Sequence, residues 1–311
     1  MFATLVLVSR SAKAHILLIL ITFSWGATFV VIKNALNDVT PLLLNAIRMV
    51  LAAAALSLYF RKEFASMTRA SVRGGVVVGI FLWIGYEFQT TGLTMTTPSK
   101  SAFLTGLSVV LVPVFLALGW RKKVNRWTVV GVIAAFLGLY LLTVPTSSAG
   151  MFTLEGVNRG DVLTLGCAVA FAFQIIFVGR TTAKNPYAHV VLLQVITCAV
   201  LNVVAVPVLE RAHVIFSARV VWAILVTGLI CTAAAFTVQA WAQQFIPPTH
   251  TALIFALEPV FAWITSFVVE GEKLGIRATF GAVLILAGVL VSELLPGVEM
   301  EHAELVEETS E

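Results

Sequence analysis

Five side chains that carry charge, or can, stand inside long apolar stretches: Arg48, Glu87, Lys100, His250 and Glu258. A charge in hydrocarbon costs about 2.5–3.5 kcal/mol on insertion scales, so each needs a partner or a use. Arg48 follows Pro41 by seven residues and Glu87 precedes Thr94 by seven. At 1.5 Å per helical residue, both sit roughly 10 Å below the same membrane face. Opposite charges at equal depth on neighbouring helices suggest an Arg48–Glu87 ion pair, or equally a role in binding substrate or carrying a proton. Glu258 lies mid-stretch and immediately precedes Pro259, whose ring and missing amide kink a helix and release a carbonyl. A carboxylate beside a kink suits a gate or a cation site, and just as well a hydrogen bond that packs helices. Lys100 and His250 follow Ser99 and Thr249, which are residue types that cap helix N-termini. Two positive helix ends carrying two bases would attract a carboxylate or phosphate. The plainer alternative is that both side chains snorkel to the nearest interface.

The composition dictates the elements that must position these groups. Hydrophobic residues make up 59% of the 311 and charged residues only 12%, with a mean hydropathy of +0.98. A soluble domain carries roughly 25% charged residues. Ten apolar segments long enough to span a bilayer follow one another, at about 15–36, 41–60, 74–94, 99–119, 127–144, 161–180, 187–208, 219–241, 249–269 and 274–294. They leave short loops and two tails, with no room for a soluble catalytic or DNA-binding domain. The fold class expected is an all-α polytopic membrane protein. The net charge of +4 and pI near 9.1 fit basic cytoplasmic loops. No basic stripe with interleaved aromatics points to nucleic acid as a partner. Cys167, Cys198 and Cys231 are odd in number, lie within apolar segments and form no C-x-x-C. Neither a disulfide framework nor a metal site is expected. No Walker A, G-x-S-x-G, H-E-x-x-H or dinucleotide fingerprint occurs, so no cofactor, no ATP hydrolysis and no enzyme activity are expected. The apolar start Met1 to Val8 precedes Arg10 and Lys13 instead of following them, which predicts a retained first helix and not a cleaved signal.

The chain repeats itself. Pro98-Ser99-Lys100-Ser101-Ala102-Phe103-Leu104 is matched 150 residues later by Pro248-Thr249-His250-Thr251-Ala252-Leu253-Ile254. Gly131 and Gly138 correspond to Gly281 and Gly288 at the same offset. Glycines seven apart share one helix face and permit close packing; these faces join the two halves within a monomer, or pair two chains as a homodimer. Five spans per half is an odd number, so the copies must be inverted. Residues 1–150 form the first five-helix repeat and 151–298 the second, with a linker at Pro145–Gly160 and an acidic, disordered cytoplasmic tail at 299–311. With the N-terminus inside, the first half places ten bases on the cytoplasmic side, among them Arg61, Lys62, Arg121 and Lys122. The second half reverses the bias, so both termini are expected to be cytoplasmic in a multi-pass inner-membrane protein. Inverted repeats are the usual construction of secondary transporters, with the substrate site near the midplane.

Three stretches carry a resemblance to a known family: Ser24-Trp25-Gly26, the run from Gln89 through Thr96-Thr97-Pro98-Ser99-Lys100-Ser101 to Pro113, and Leu257-Glu258-Pro259-Val260 with Glu270-Gly271-Glu272. The chain resembles the drug/metabolite transporter superfamily, and within it the EamA-type ten-helix exporters, over nearly its whole length except the tails. Members export amino acids, small metabolites or drugs; relatives exchange sugar phosphates and nucleotide sugars. The resemblance implies a central cavity lined by spans 1, 3, 4, 6, 8 and 9 that opens alternately to each side, taking a small-molecule substrate. Gln174 in span 6 and Gln239 in span 8 then become the favoured uncharged polar contacts. Trp25, Trp83, Tyr86, Phe103 and Trp241 are candidates for an aromatic lining, and Pro113 and Pro259 for kinks that gate it. The four-helix multidrug members carry a buried Glu in their first helix. Spans 1 and 6 have no acid inside the apolar stretch here, so Glu87 or Glu258 would have to substitute. An exporter of amino acids or related amphipathic compounds is expected. An organic-anion exchanger using Lys100, His250 and Arg48, a multidrug exporter, a non-transporting scaffold and a membrane-embedded enzyme are the alternatives.

Overall fold

The computed structural model describes residues 9–96, 98–143, 158–270 and 275–295. Residues 145–157 of the inter-repeat linker, the acidic tail, Gly271-Glu272 and the side chain of Lys100 lie outside the described residues.

Helices begin where the sequence supplies an N-terminal partner for their free amides. Helix α1 (Arg10–Ala35) is capped by Ser9, which accepts from the Ala12 amide at 3.1 Å. Helix α2 (Pro41–Tyr59) opens on a proline, and Glu210 adds its carboxylate oxygens at 3.0 and 3.1 Å to the Leu42 and Leu43 amides. Capping boxes open α3 (Arg69–Met95) at Thr68/Ser71 and α7 (Arg159–Thr182) at Asn158/Asp161. Span 4 is α4 (Pro98–Gly106) followed by α5 (Ser108–Trp120), and span 5 is α6 (Arg126–Thr143). Span 7 is α8 (Tyr187–Leu209). Span 8 is α9 (Ala218–Leu225), a π-helical stretch Val226–Ala234 and α10 (Ala235–Ala242). Span 9 is α11 (Pro248–Phe255) and α12 (Glu258–Glu270), and span 10 is α13 (Ile276–Leu294). The ten spans form two inverted five-helix repeats. Large apolar side chains such as Leu58, Val208 and Phe280 are more than half exposed on the outside of the bundle, as a helix surrounded by lipid requires.

The extensive interhelical contacts run between the repeats: α6 with α13, α3 with α7 and α8, α2 with α8, and α1 with α12. The α6–α13 crossing shows why glycine recurs. A Cβ on Gly138 would lie 2.6 Å from the Gly281 carbonyl oxygen, and one on Gly281 would lie 2.6 Å from that of Gly138. Gly131 and Gly288 repeat this reciprocal contact, also at 2.6 Å. The glycine faces thus meet each other inside one chain.

Spans 4 and 9 both break, at repeat-equivalent positions. In span 9 the helix tightens at Ala256–Leu257, where Leu257 donates to Ile254 at 3.0 Å, an i→i−3 bond, just before Pro259 removes the next amide. In span 4 the interruption is at Leu107, which donates to Leu104 at 3.2 Å. Pro113, expected as the kink, lies inside α5, and the helix runs on through it. Gly106 and Ser108, two weak helix formers flanking Leu107, give the better local account of the break. Thr249 likewise does not cap span 9; α11 starts one residue earlier, behind Pro247.

The loops at the two faces are clipped in a related way. On the face where α1 ends, Asp38 accepts from Ser217 at 2.6 Å and pairs with Arg219 at 3.1 Å, and Val39 bridges Val214. On the opposite face, His189 Nε2 lies 3.0 Å from Ser66 Oγ and 3.3 Å from Glu63. These faces are called distal and terminal below.

Candidate functional site

A cavity of roughly 920 Å³, counting its open mouth, lies at the centre of the bundle. Span 1 contributes Trp25, Thr28, Phe29 and Ile32, and span 3 contributes Tyr86, Gln89, Thr90 and Leu93. Span 4 adds Ala102, Thr105, Gly106 and Ser108, and span 6 adds Phe171, Gln174 and Ile175. Spans 8 and 9 complete the wall with Thr227, Cys231, Phe236, Gln239, Phe255, Glu258 and Pro259. The residues from spans 1 and 3 come from the ends of helices that finish on the distal face, and those from span 4 from the end that starts there. The cavity therefore extends from mid-bundle toward the distal side. On the terminal side the start of span 9 is packed into the bundle: Pro248 through Ile254 are all buried.

One wall member from outside those six spans is Arg48 of span 2. It is 2% exposed, with its guanidinium carbon 4.0 Å from the centre of the Tyr86 ring. Arg48 does not pair with Glu87. Glu87 Oε1 instead accepts from Asn45 Nδ2 at 3.0 Å, and Asn45 in turn accepts from Thr90 at 3.1 Å. Equal depth does not fix azimuth: Glu87 is turned toward Asn45, three residues before Arg48, and stays out of the cavity. Nε and Nη2 of Arg48 are buried without a hydrogen-bond partner.

Gln174 and Gln239 do meet, as a reciprocal amide pair. Gln239 Nε2 donates to Gln174 Oε1 at 3.1 Å, and Gln174 Nε2 returns a longer bond of 3.3 Å. Gln194 accepts from Gln174 at 3.1 Å, and Gln239 continues to Gln243, whose amide reaches the Ile175 carbonyl at 2.9 Å. This chain links spans 6, 7 and 8 across the cavity floor. It satisfies most of the polar atoms that burial would otherwise penalise.

Of the aromatic candidates, Trp25 and Tyr86 line the cavity, joined by Phe171, Phe236 and Phe255, which the sequence did not single out. Trp83 packs against the core built from spans 2, 3, 6, 7 and 8 and is not one of the wall residues. Phe103 packs against the core around α6 and α13. Trp241 stacks edge-on with Phe245 at 5.2 Å beneath Lys13. His250 is buried in the first turn of α11 and is not one of the wall residues. Among the described residues no cluster of His, Cys, Asp or Glu is arranged to hold a metal.

The Ser24-Trp25-Gly26 motif now has a physical role. The Trp25 indole donates to the Cys231 carbonyl at 2.7 Å, in the middle of the π-helical stretch. There the wider turn, with Thr232 bonded back to Thr227 at 2.7 Å, presents Thr227 and Cys231 to the cavity. Trp25→Phe should keep the ring packed and lose this bond. The expected cost is about 1–3 kcal/mol of stability, read from unfolding in detergent, and an unchanged midpoint would dismiss the role. A Cβ on Gly26 would lie 2.5 Å from the Glu258 carbonyl oxygen. Span 1 is thus seated directly on the break in span 9.

The model of the EamA-like transporter family matches residues 12–144 and again 158–294, once per repeat. The chain belongs to the EamA-like transporter family. A relative from Archaeoglobus fulgidus, named an uncharacterized transporter, is 30% identical over 277 residues, which is 89% of this chain and 84% of its own. A protein of Salmonella typhimurium named a probable amino-acid metabolite efflux pump is 22% identical over 91% of this chain and 95% of its own. A crystal structure of a protein 18% identical superposes with a TM-score of 0.73 over 93% of this chain and 99% of its own. At that identity it shows a shared fold and nothing further.

Proposed function

We propose that this EamA-family membrane transporter exports small amphipathic metabolites, amino acids first among them, by alternating access, with both termini cytoplasmic. One observation carries the reading: a mid-bundle cavity walled by both repeats, reaching toward one face and closed toward the other. The cavity's walls combine apolar rings with one cation, one anion and several amides and hydroxyls. That mixture suits a solute with a charged head and an apolar body. The Salmonella relative's name points the same way. The lysine and arginine bias supports the orientation.

Inversion supplies the mechanism. The terminal side is shut by the packed start of span 9 and by the glutamine chain. The repeat-equivalent start of span 4 stands on the distal side, beside the mouth. Exchanging the two arrangements would open the terminal side and close the distal one around the same site. The anion-exchanger alternative is disfavoured because Glu258 shares the wall with Arg48 and His250 does not reach it.

The test is efflux from proteoliposomes loaded with a mixture of labelled amino acids, with and without an imposed pH gradient. Protein-dependent release of amino acids is the expected result, and its response to the gradient reports proton coupling. Release of a phosphorylated or drug-like solute while every amino acid stays inside would overturn the substrate class and leave the transporter fold in place.

A further inference from the structure

We infer that the cavity selects zwitterions through two poles of opposite charge, Arg48 receiving the substrate's anionic group and Glu258 its cationic group. The inference rests on the transport reading and deepens it.

Among the described wall residues Arg48 is the sole permanent cation and Glu258 the sole carboxylate. They come from different repeats, α2 and the first turn of α12. Neither is neutralised by an ion pair with a described residue. Arg48 is the sharper case. The Tyr86 ring holds the guanidinium by its face, which attracts the charge but satisfies no in-plane donor. Nε and Nη2 remain without acceptors in a side chain that is 2% exposed, and buried donors normally have partners. The nearby carboxylate of Glu87 spends Oε1 on Asn45 and keeps Oε2 buried without a partner, and it forms no ion pair with Arg48. A planar guanidinium with free adjacent donors matches a carboxylate bidentately, which an ammonium does not. Glu258 stands half-buried at the cavity edge of the helix break, a natural acceptor for an ammonium group.

The two charges cancel, so the wall is neutral overall. A dianion entering would meet Glu258, and an organic cation would meet Arg48, each without compensation. A ligand carrying both charges satisfies both poles. Its apolar part can lie against Trp25, Phe171, Phe236 and Phe255.

The experiment compares leucine with two analogues that each lack one charge, isoamylamine and 4-methylpentanoate. A panel of other amino acids, including γ-aminobutyrate, extends it to wider charge spacings. Binding to the full-length protein in detergent is read by tryptophan fluorescence, and counterflow is measured in proteoliposomes. Wild type should bind at least one zwitterion about tenfold or more tighter than its single-charge analogues. Arg48→Gln should weaken the zwitterion and strengthen the amine, while Glu258→Gln should weaken the zwitterion and strengthen the acid. Such reciprocal gains cannot come from misfolding. Arg48→Lys, which keeps the charge without the fork, should fall between wild type and Arg48→Gln. Equal binding of all three ligands by wild type, no zwitterion bound at all, or unchanged ligand ratios in both variants would overturn the assignment. Leucine counterflow with unchanged ratios would sink the poles and spare the transport reading. The predicted ratios without any counterflow would do the reverse.

Discussion

Gly138→Leu should be the most damaging single substitution outside the cavity, costing about 3 kcal/mol of folding stability or more. The Cβ position at Gly138 lies 2.6 Å from the Gly281 carbonyl and 2.8 Å from the Ile285 amide. Both are backbone, so no rotamer can yield and the helices must separate. Separation would also break the Gly131–Gly288 contact two turns away on the same face. In lipid, close packing is much of what holds helices together, since hydrocarbon tails are as apolar as leucine. The gentler variant is more diagnostic. Gly→Ala in a helix interior normally stabilises by up to about 1 kcal/mol, so destabilisation by Gly138→Ala would reverse the usual sign. Gly138→Ala and Gly281→Ala oppose the same crossing, and once one has parted the helices the second should cost less, a coupling of about 0.5–3 kcal/mol. Unfolding of the single and double variants in mixed detergent measures it. Stabilisation by both alanines would mean that α6 and α13 do not cross here.

The fold was legible because the bilayer simplifies the code. Twenty-residue apolar runs announce spans without any need for periodicity, and the repeat of Pro98–Leu104 at Pro248–Ile254 fixed the pairing of spans 4 and 9 between the halves. The glycines at 131, 138, 281 and 288 pointed to a packing face, and the structure shows them facing each other. Two local features were not legible. The π-helical stretch Val226–Ala234 has no composition that marks it, and the contacts it makes, with the Trp25 indole at Cys231 and with the Arg48 carbonyl at Gly228, are tertiary. The break at Leu107 was hidden because proline is the visible sign of an interrupted helix, and the proline of span 4, Pro113, lies six residues further on inside α5.

The site was legible by residue type and only partly by contact. Rarity of charge in hydrocarbon singled out Arg48, Glu87 and Glu258 together, yet only Arg48 and Glu258 reach the cavity. Depth along a helix is readable from residue count; rotation about its axis depends on how neighbours pack. That missing angle is what left two readings of Arg48 equally open, a partner for Glu87 or a binding group, and the structure puts it on the cavity wall without an ion pair to Glu87. It also placed Trp83 among packed helices three residues from Tyr86, which lines the site. Gln174 and Gln239 stood out as polar contacts for a cavity; both lie on its wall, and their bonds to each other, which residue type alone does not announce, come from packing of spans 6 and 8.

Gly26→Ala carries the second large effect, and it joins stability to transport. Its new Cβ would lie 2.5 Å from the Glu258 carbonyl oxygen, 2.9 Å from the Ala262 amide and 3.0 Å from the Phe261 Cβ. Span 1 could accept the methyl group only by moving off the break in span 9 and taking Trp25 from its bond to Cys231, or by pushing the start of α12 aside. Either movement displaces Trp25 or Glu258, both of them wall residues. A shift of about 1 Å in a positioned group is enough to cost on the order of a hundredfold where geometry matters. Gly26→Ala is therefore expected to lose about 1–3 kcal/mol of stability and to cut transport by at least about tenfold at temperatures where it is still folded. Leu20→Ala, on the lipid-facing side of the same helix at 56% exposure, should do neither. Restoring the expression and unfolding midpoint of Gly26→Ala with a stabilising lipid or lower temperature separates the two effects. Recovered folding with transport still lost places Gly26 in the machinery that sets the Glu258 backbone, whereas transport recovering in step with folding would reduce it to a packing position.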